Sequence, residues 1–383
     1  MSEPPSDPPE TSSGEVFRFT EPESSVPLID QIINSALEGL PPNPPVGRLI
    51  KVARVTRRGS PPILRTGTIR PPTMAENIQL KVLAVGIWAR VRDRVDAGNP
   101  VTSSVPLPFD PSIDGVVQDE KTGNTYYVLP QINPRGFGLL SEYVNIPKNS
   151  LLKIPKTDNP VLIAGLAGTW LTCWSLLLTC HKRRVIIIGA TTCLGRAAAW
   201  IAKWLGASMV IGLTDDSTAA LVNGLDVLLF FKHPIELPKF DGIEIVIDFL
   251  GWNIGGQVLK QINNDTDHGV DYMPAWTPHE NEPWEVDDDL FEDKGLEIVD
   301  PALEMCHLTD LQLRERLRFG LALMRLLPQP PFEVVARPMS EVQTAWDEED
   351  FKTLRKTLVL VPGDMDGEER DAPCSEPAQE SSC

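Results

Sequence analysis

A turn of small residues at positions 189–195 is the part of this sequence best suited to chemistry. It follows an apolar run at 184–188 and leads directly into residues 194–205, where apolar side chains recur at helical spacing. The start of a helix offers unpaired N–H groups and a partial positive charge, so such a turn can bind the pyrophosphate of a dinucleotide. The candidate binding residues of this turn are Gly189, Ala190, Thr191, Thr192, Cys193, Leu194 and Gly195.

The next apolar run, residues 209–213, supplies a second part of the candidate site. It ends beside Thr214 and Asp215, and Asp215 lies 20 residues after Gly195. An acid at this distance from the turn can accept hydrogen bonds from the adenosine ribose of a dinucleotide. We therefore include Thr214 and Asp215 among the predicted cofactor-binding residues.

The turn departs from the glycine fingerprint G-x-G-x-x-G, because residues 190–195 read A-T-T-C-L-G. Thr192 replaces the glycine that lets the backbone approach the pyrophosphate, and its branched side chain predicts added bulk and an unfavourable backbone conformation. The hydroxyl of Thr191 or Thr192 can instead donate a hydrogen bond to a phosphate oxygen. These residues predict a dinucleotide-binding fold and leave two outcomes open: a turn that accepts pyrophosphate, and a turn that Thr192 obstructs.

The order of predicted elements indicates an α/β protein with two kinds of domain. Residues 48–129 contain short strands at 48–54, 78–85, 114–117 and 126–129, separated by turn signals, a pattern typical of a small barrel or sandwich. From residue 160 onward, apolar β-branched runs alternate with predicted helices, one of them at 217–223, which indicates a parallel sheet covered on both faces. Strand patterns return at 332–337 and 357–362. We predict a nucleotide-type domain inserted into a barrel-like domain.

The composition predicts further segments around these domains. Residues 1–45 hold ten prolines and are predicted to form a disordered leader, with one short helix where apolar residues recur at 26–40. The barrel-like domain spans 46–160 and is completed by 329–362, and the nucleotide-type domain spans 161–328. The latter contains an acidic insertion at 262–300, in which we find no strand pattern. Residues 363–383 are predicted to form a disordered acidic tail.

The overall charge and the cysteine spacing exclude several classes of function. A net charge of −18 argues against a nucleic-acid partner, because phosphate contacts need clustered Lys and Arg. No stretch is apolar enough to span a bilayer, and the N-terminus lacks the pattern of a signal peptide, which predicts a cytoplasmic protein without a membrane partner. The six cysteines and five histidines show no metal-ligand spacing, so no metal site is predicted.

Several segments, in this order and spacing, resemble the medium-chain dehydrogenase/reductase superfamily, in its zinc-independent quinone-oxidoreductase-like branch. The matching segments are LKVLAVGIWARVRDRVDAG (80–98), LPFDPSIDGVV (107–117), GFGLLSEYVNIP (136–147), AGLAGTWLTCWSLL (164–177), the turn described above, and VIDFLG (246–251). The resemblance implies a GroES-like partial β-barrel, built from both chain ends, beside a Rossmann domain with a doubly wound parallel sheet. It implies NAD(P)H as cofactor and hydride transfer to an activated carbon–carbon double bond or a quinone of a small-molecule substrate.

The resemblance has consequences for individual residues. It implies that Thr172 touches the nicotinamide, although a helix hydroxyl often bonds to its own backbone. It implies the absence of both zinc sites, since no cysteine precedes Cys173. It also implies a homodimer through an edge strand of the Rossmann sheet. Tyr143 is a candidate proton donor and Cys193 a candidate reactive thiol, but packing is the ordinary role of both, and no catalytic residue is assigned.

Three departures from the family pattern keep other functions open. Thr192 replaces a fingerprint glycine, Asp215 and Asp216 repel a 2′-phosphate and favour NADH, and the acidic segment after Ile262 replaces an expected strand. The main alternative is a catalytically inactive relative that serves as a binding or interaction protein. A third hypothesis is an enzyme that uses the interdomain cleft without reduction. Whether Thr192 obstructs the turn, and what structure residues 262–300 adopt, distinguish a reductase from an inactive relative.

Overall fold

A computed structural model describes residues 47–99, 101–130, 137–217, 219–220, 222–262, 269–274, 295–299, 310–327 and 329–363. The chain divides into two compact units, Met1–Val46 and Gly47–Cys383, and every described residue lies in the second. The predicted leader with its helix at 26–40, and the predicted tail beyond Gly363, lie outside the described residues.

Short antiparallel strands make up the first part of the described chain. Strands β1 (Arg48–Arg54) and β2 (Ile63–Ile69) form a two-stranded sheet, of which only β1 was predicted. The elements that follow are β3 (Asn77–Ile87), α1 (Ala89–Asp93), β4 (Gly115–Asp119), β5 (Asn124–Val128), β6 (Tyr143–Pro147) and β7 (Leu151–Ile154). Strand β3 pairs with β4 and β6, and β5 joins β4 to β7. This sheet contains the barrel-type strands that the alternating pattern indicates.

A six-stranded parallel sheet follows, with helices between its strands. Its elements are α2 (Pro160–Leu176), β8 (Arg184–Ile188), α3 (Cys193–Trp204), β9 (Met209–Thr214), β10 (Val227–Phe230), β11 (Ile245–Asp248), α4 (Trp252–Gln261), β12 (Val270–Pro274) and β13 (Leu296–Ile298). The strand order is β10-β9-β8-β11-β12-β13. From β8 the chain adds strands first on one side (β9, β10) and then on the other (β11, β12, β13), so the strand order reverses between β8 and β11. Ligands of such sheets bind at this reversal, outside the carboxyl ends of the strands.

The last described elements return to the first sheet. They are α5 (Asp310–Leu326), β14 (Glu333–Pro338), α6 (Val342–Trp346), α7 (Glu349–Lys352) and β15 (Lys356–Val361). Strand β15 pairs in parallel with β14 and antiparallel with β3, so strands from both ends of the described chain form one sheet. The predicted fold class is confirmed: a GroES-like partial barrel stands beside a Rossmann-type sheet.

Helix α2 packs against the barrel sheet on one side and against helices of the Rossmann part on the other. Asn159 begins it, and the Asn159 side chain accepts a hydrogen bond of 2.9 Å from the Val161 N–H. Two glycines allow a close approach to the barrel sheet. A Cβ on Gly165 would lie 2.5 Å from Val334, and one on Gly168 would lie 2.6 Å from the Trp88 indole.

The opposite side of α2 contributes to an aromatic cluster. Trp170 lies 5.2 Å from Trp200 of α3, and Trp174 lies 5.3 Å from Phe319 of α5, between ring centroids. Trp204 joins the cluster at 5.6 Å from Trp174. Trp170 and Trp174 on α2, and Trp200 and Trp204 on α3, lie at helical spacing, and their rings pack together in this cluster.

Two local predictions are wrong. The described residues between 217 and 223 form no helix, and the Asp216 N–H donates instead to the Thr214 hydroxyl at 3.1 Å. A segment of this length with Ser217 and Asn223 provides too few bonds to offset helix nucleation. The acidic insertion was predicted to lack strands, yet β12 and β13 extend the parallel sheet from β11. These short strands carry little pattern of their own, because pairing of β12 with β11 and of β13 with β12 determines their conformation. The predicted domain boundaries stay a prediction.

Candidate functional site

The predicted pyrophosphate turn has the backbone that a tight strand-to-helix connection requires. Gly189 follows β8 with a positive φ of 79°, a conformation that side-chain-bearing residues rarely adopt. A Cβ on Gly195 would lie 2.6 Å from the Ala190 Cα atom, so only glycine permits this approach of α3 to the turn. Ala190 is fully buried and faces Gly212 of β9. The two glycines therefore bring the start of α3 to the carboxyl end of β8.

Thr192 caps the helix and does not distort the turn. Its φ of −70° and ψ of 164° are extended, so the predicted unfavourable backbone conformation is wrong. Its hydroxyl donates to the Gly189 carbonyl at 2.8 Å and accepts from the Gly195 N–H at 3.1 Å. Since both bonds stay inside the turn, the Thr192 hydroxyl is not the phosphate donor that the sequence left open. A Thr at this position serves as an N-cap, one of the residue types that helices prefer there.

Two N–H groups of the turn are available to an anion. Within the described part of the chain, the N–H groups of Thr191 and Leu194 make no hydrogen bond. The N–H of Cys193 is already used, because it donates to the Leu354 carbonyl at 2.7 Å. The Thr191 hydroxyl lies 2.8 Å from the Thr214 hydroxyl, which joins the turn to the end of β9. The arrangement fits a pyrophosphate at the start of α3.

Cys193 is a packing residue. Burial raises the pKa of its thiol to about 12, so the helix N-terminus does not make it a thiolate. The neighbouring Cys173 thiol is fully buried and donates to the Leu194 carbonyl at 3.3 Å. The ordinary role that the sequence favoured for Cys193 agrees with this environment.

Thr172 and Tyr143 are both engaged within the protein. The Thr172 hydroxyl is buried and donates to the Gly168 carbonyl at 3.0 Å, the local bond that was its alternative interpretation. The Tyr143 hydroxyl donates to Glu120 at 2.9 Å, and the Arg48 guanidinium lies 4.0 Å from the centre of its ring. The role of Tyr143 as a proton donor and the coenzyme contact of Thr172 both stay predictions.

Charged residues of both signs meet at the end of β9. Asp215 is exposed, and Asp216 lies 3.4 Å from the Arg355 guanidinium. Arg196, in the first turn of α3, donates from Nε to the Thr191 carbonyl at 2.9 Å. Sequence reasoning missed both arginines. Arg196 directly follows the last fingerprint glycine, so its place beside the turn could have been predicted from the sequence. Nothing in the sequence connects Arg355 with the turn.

A buried acid supports the loop beside the turn. Asp248, at the end of β11, accepts hydrogen bonds from the N–H groups of Leu250 and Gly251 at 2.8 and 2.9 Å and from the Tyr272 hydroxyl at 2.9 Å. Burial raises the pKa of Asp248 to about 6. The bonds fix Leu250 against the turn, since a Cβ on Gly189 would lie 3.0 Å from the Leu250 side chain.

A second buried acid lies in the barrel part, beneath α2. Asp114 accepts a hydrogen bond from the Trp88 indole at 3.0 Å and a short one from the Tyr127 hydroxyl. Burial raises the pKa of Asp114 to about 6, against the opposing effect of both bonds. This network lies directly below Gly168, so it supports the helix that separates the two sheets.

Among the described residues, no group of three or more His, Cys, Asp or Glu side chains is arranged to hold a metal ion. In the same part of the chain, none of the helices combines the length and the apolar character that crossing a bilayer requires.

Comparison with known proteins places the chain in a family, although no protein-family model matches it. A protein from Emericella nidulans named "Probable NADPH-dependent quinone reductase tdiC" is 31% identical over 341 residues, covering 76% of this chain and 94% of that protein. Among solved structures, the quinone oxidoreductase from Thermus thermophilus has a TM-score of 0.60 at 20% identity, covering 81% of this chain and 99% of its own. Benzyl alcohol dehydrogenase from Acinetobacter calcoaceticus has a TM-score of 0.61 at 14% identity, with coverages of 82% and 99%, and both likenesses concern the fold alone. From its identity to the quinone reductase over nearly that protein's whole length, and from the two sheets described above, the chain belongs to the quinone-oxidoreductase-like branch of the medium-chain dehydrogenase/reductase superfamily.

Proposed function

We propose that this protein is an NAD(P)H-dependent, zinc-independent reductase of a small molecule that carries a quinone or another activated carbon–carbon double bond. The observation that carries the proposal is the glycine turn at 189–195, with two N–H groups at the start of α3 that no described residue bonds, in a chain 31% identical to a protein named as an NADPH-dependent quinone reductase. Because the nicotinamide carries the hydride, the reaction needs few catalytic groups from the protein.

The bound coenzyme would supply the hydride, and the protein would bind and orient it. The N–H groups of Thr191 and Leu194, which make no bond to the described residues, would donate to the pyrophosphate, and the partial positive charge of α3 would add to the attraction. Thr214 and Asp215 lie at the end of β9, next to the expected adenosine ribose. Thr192 holds the turn in shape through its two internal hydrogen bonds.

Zinc is not needed for this chemistry. In the zinc-dependent branch a metal polarises the oxygen of the substrate, whereas reduction of an activated double bond requires hydride delivery and a proton source. No cysteine precedes Cys173, so the barrel part offers no thiolate ligand. The homodimer, the cytoplasmic location and the absence of a nucleic-acid partner remain proposals from the sequence.

The structure favours a reductase over an inactive interaction protein. The two features that distinguish these hypotheses are Thr192 and the segment 262–300. The Thr192 side chain makes both of its hydrogen bonds inside the turn and leaves the backbone unstrained. Within 262–300, the described residues contribute β12 and β13 to the parallel sheet, as a functional Rossmann domain requires.

Coenzyme titration of the purified full-length chain tests the proposal. NADH and NADPH are each added while calorimetry or nicotinamide fluorescence is followed, and we expect saturable binding at micromolar concentrations. Oxidation of the bound coenzyme is then followed by absorbance with a panel of quinones and enones. Gly195→Val is the matched control, because the valine side chain would occupy the space in which α3 contacts the turn. This variant should not bind either coenzyme. Failure of both coenzymes to bind at millimolar concentrations, or binding without oxidation by any substrate of the panel, contradicts a reductase.

A further inference from the structure

The choice between NADH and NADPH depends on the charges that face the adenosine ribose. In NADPH this ribose carries a 2′-phosphate, and in Rossmann sheets it lies at the carboxyl end of the strand after the glycine turn, here β9. Asp215 and Asp216 follow that strand and would repel the phosphate. An arginine nearby is the usual way in which a protein accommodates this group.

Arg355 brings a guanidinium to this place. Its Nη2 atom lies 3.4 Å from an Asp216 carboxylate oxygen, and its side chain is 50% exposed, whereas that of Asp216 is 16% exposed. A guanidinium carries five N–H donors, so one loose contact with a carboxylate leaves donors for a phosphate. Asp216 therefore holds Arg355 at the end of β9 while half of the Arg355 side chain stays exposed.

The backbone next to Arg355 is fixed against the coenzyme turn. The Leu354 carbonyl accepts the 2.7 Å hydrogen bond from the Cys193 N–H, and the Leu354 side chain packs on the core of the Rossmann part. Leu354 has a φ of +57°, a strained conformation for a leucine. The Arg355 N–H donates to the Asp350 carbonyl at 3.0 Å. The residue thus comes from the segment before β15 and is anchored on both sides.

Arg196 adds a second cation beside the same turn. Its Nε atom donates to the Thr191 carbonyl at 2.9 Å, and Thr191 in turn contacts Thr214 at the end of β9. With Arg355 it balances the formal charges of Asp215 and Asp216, so the site is not the purely acidic one that the sequence indicates. A dianionic phosphate would gain two cationic partners here.

We propose that Arg355, positioned by Asp216 and assisted by Arg196, binds the 2′-phosphate of NADPH and makes the protein prefer NADPH over NADH. This inference rests on the proposed function, since it names the contact by which the same coenzyme site discriminates. The determinant lies outside the Rossmann sheet, on the segment that returns the chain to the barrel. Coenzyme choice therefore depends on how the two sheets meet.

The test compares Arg355→Gln with the wild-type chain in coenzyme titrations. We expect the dissociation constant for NADPH to rise about 10- to 100-fold, the effect of losing a hydrogen bond to a charged group, while that for NADH changes little. Adenosine 2′,5′-bisphosphate and adenosine 5′-monophosphate, which differ only in the 2′-phosphate, should show the same contrast. Arg355→Lys should restore part of the NADPH affinity, because it keeps the charge and loses the fork of donors.

Arg337→Gln is the matched control, since Arg337 forms a similarly loose ion pair, 3.8 Å from Glu348, on strand β14 of the barrel sheet. Thermal unfolding of each variant checks that the fold is kept. If wild-type protein binds NADPH and Arg355→Gln binds it equally well, the inference is overturned and the proposed function stands. If the wild type binds neither coenzyme, both fail. Equal loss of NADPH and NADH affinity in Arg355→Gln also contradicts the inference, because it marks a general role.

Discussion

Replacing Asp114 by Asn should remove a pH-dependent loss of stability. Asp114 is fully buried between the Trp88 indole and the Tyr127 hydroxyl, and burial raises the pKa of its carboxyl from 3.8 to about 6. The folded state therefore binds more protons than the unfolded state between these two pH values. The contribution of the raised Asp114 pKa to the free energy of unfolding is complete below about pH 4 and is lost as the pH rises through 6. Asn resembles the protonated acid and does not titrate.

The size of the effect follows from the two pKa values. At about 1.36 kcal/mol per pKa unit, the change from 3.8 to about 6 corresponds to about 3 kcal/mol over the whole titration. Between pH 4 and pH 7 about 2 kcal/mol of this remains, because the unfolded carboxyl is already partly ionised at pH 4. The free energy of unfolding of the wild type minus that of Asp114→Asn should therefore fall by about 2 kcal/mol from pH 4 to pH 7.

Urea unfolding at several pH values from 4 to 7 measures this difference. Taking the difference between two proteins cancels the titration of all groups that they share. Asp347→Asn serves as the control for the loss of one negative charge, since the Asp347 side chain is 60% exposed. A wild-type-minus-variant difference that stays constant across the pH range would refute the reasoning that burial dominates at Asp114. A difference that rises with pH would show that the bonds from Trp88 and Tyr127 outweigh burial.

Three further substitutions test the site. Thr192→Val removes the cap of α3 and should lower the free energy of unfolding by about 1 kcal/mol with little change in coenzyme affinity. Thr192→Ser keeps the hydroxyl and should keep both the stability and the affinity. A large loss of coenzyme affinity in Thr192→Val would show that the hydroxyl contacts the phosphate. Asp215→Ser removes a repelling charge and should raise NADPH affinity relative to NADH by about fivefold in titrations, and an unchanged ratio would contradict the position assigned to Asp215. Gly168→Ala places a Cβ 2.6 Å from the Trp88 indole and should destabilise the protein by about 1 to 3 kcal/mol in urea unfolding. Unchanged stability would mean that Trp88 and α2 are not tightly packed.

Much of the fold follows from local pattern. Strands β1 and β8 begin and end at the predicted residues, and β15 is displaced by a single residue. Their alternating or fully apolar sequences and their turn signals act over a few residues, so they are visible without the rest of the chain. Strands β12 and β13 were missed because their conformation depends on pairing that exists only in the folded sheet, of β12 with β11 and of β13 with β12.

The candidate site shows the same division. The position of Gly189 and Gly195 around a strand-to-helix turn was predicted, since glycine spacing and the helix that follows are local features. The conformation of Thr192 was predicted wrongly. Its extended backbone and its cap arise from the hydroxyl bonding to Gly189 and Gly195, which a comparison with the glycine fingerprint alone does not reveal.

The sequence by itself determined the two-part α/β architecture, the turn at the start of α3 and the acids after β9. Each of these is set by neighbours in the chain, through hydrophobic period, capping and turn chemistry. Only the tertiary structure decided which charges share the adenosine end of the site. Pairing of β15 with β3, and the bond from Cys193 to the Leu354 carbonyl, bring Arg355 to Asp216 from a distant part of the chain. Such a meeting depends on how the sheets pack, and no local spacing encodes it.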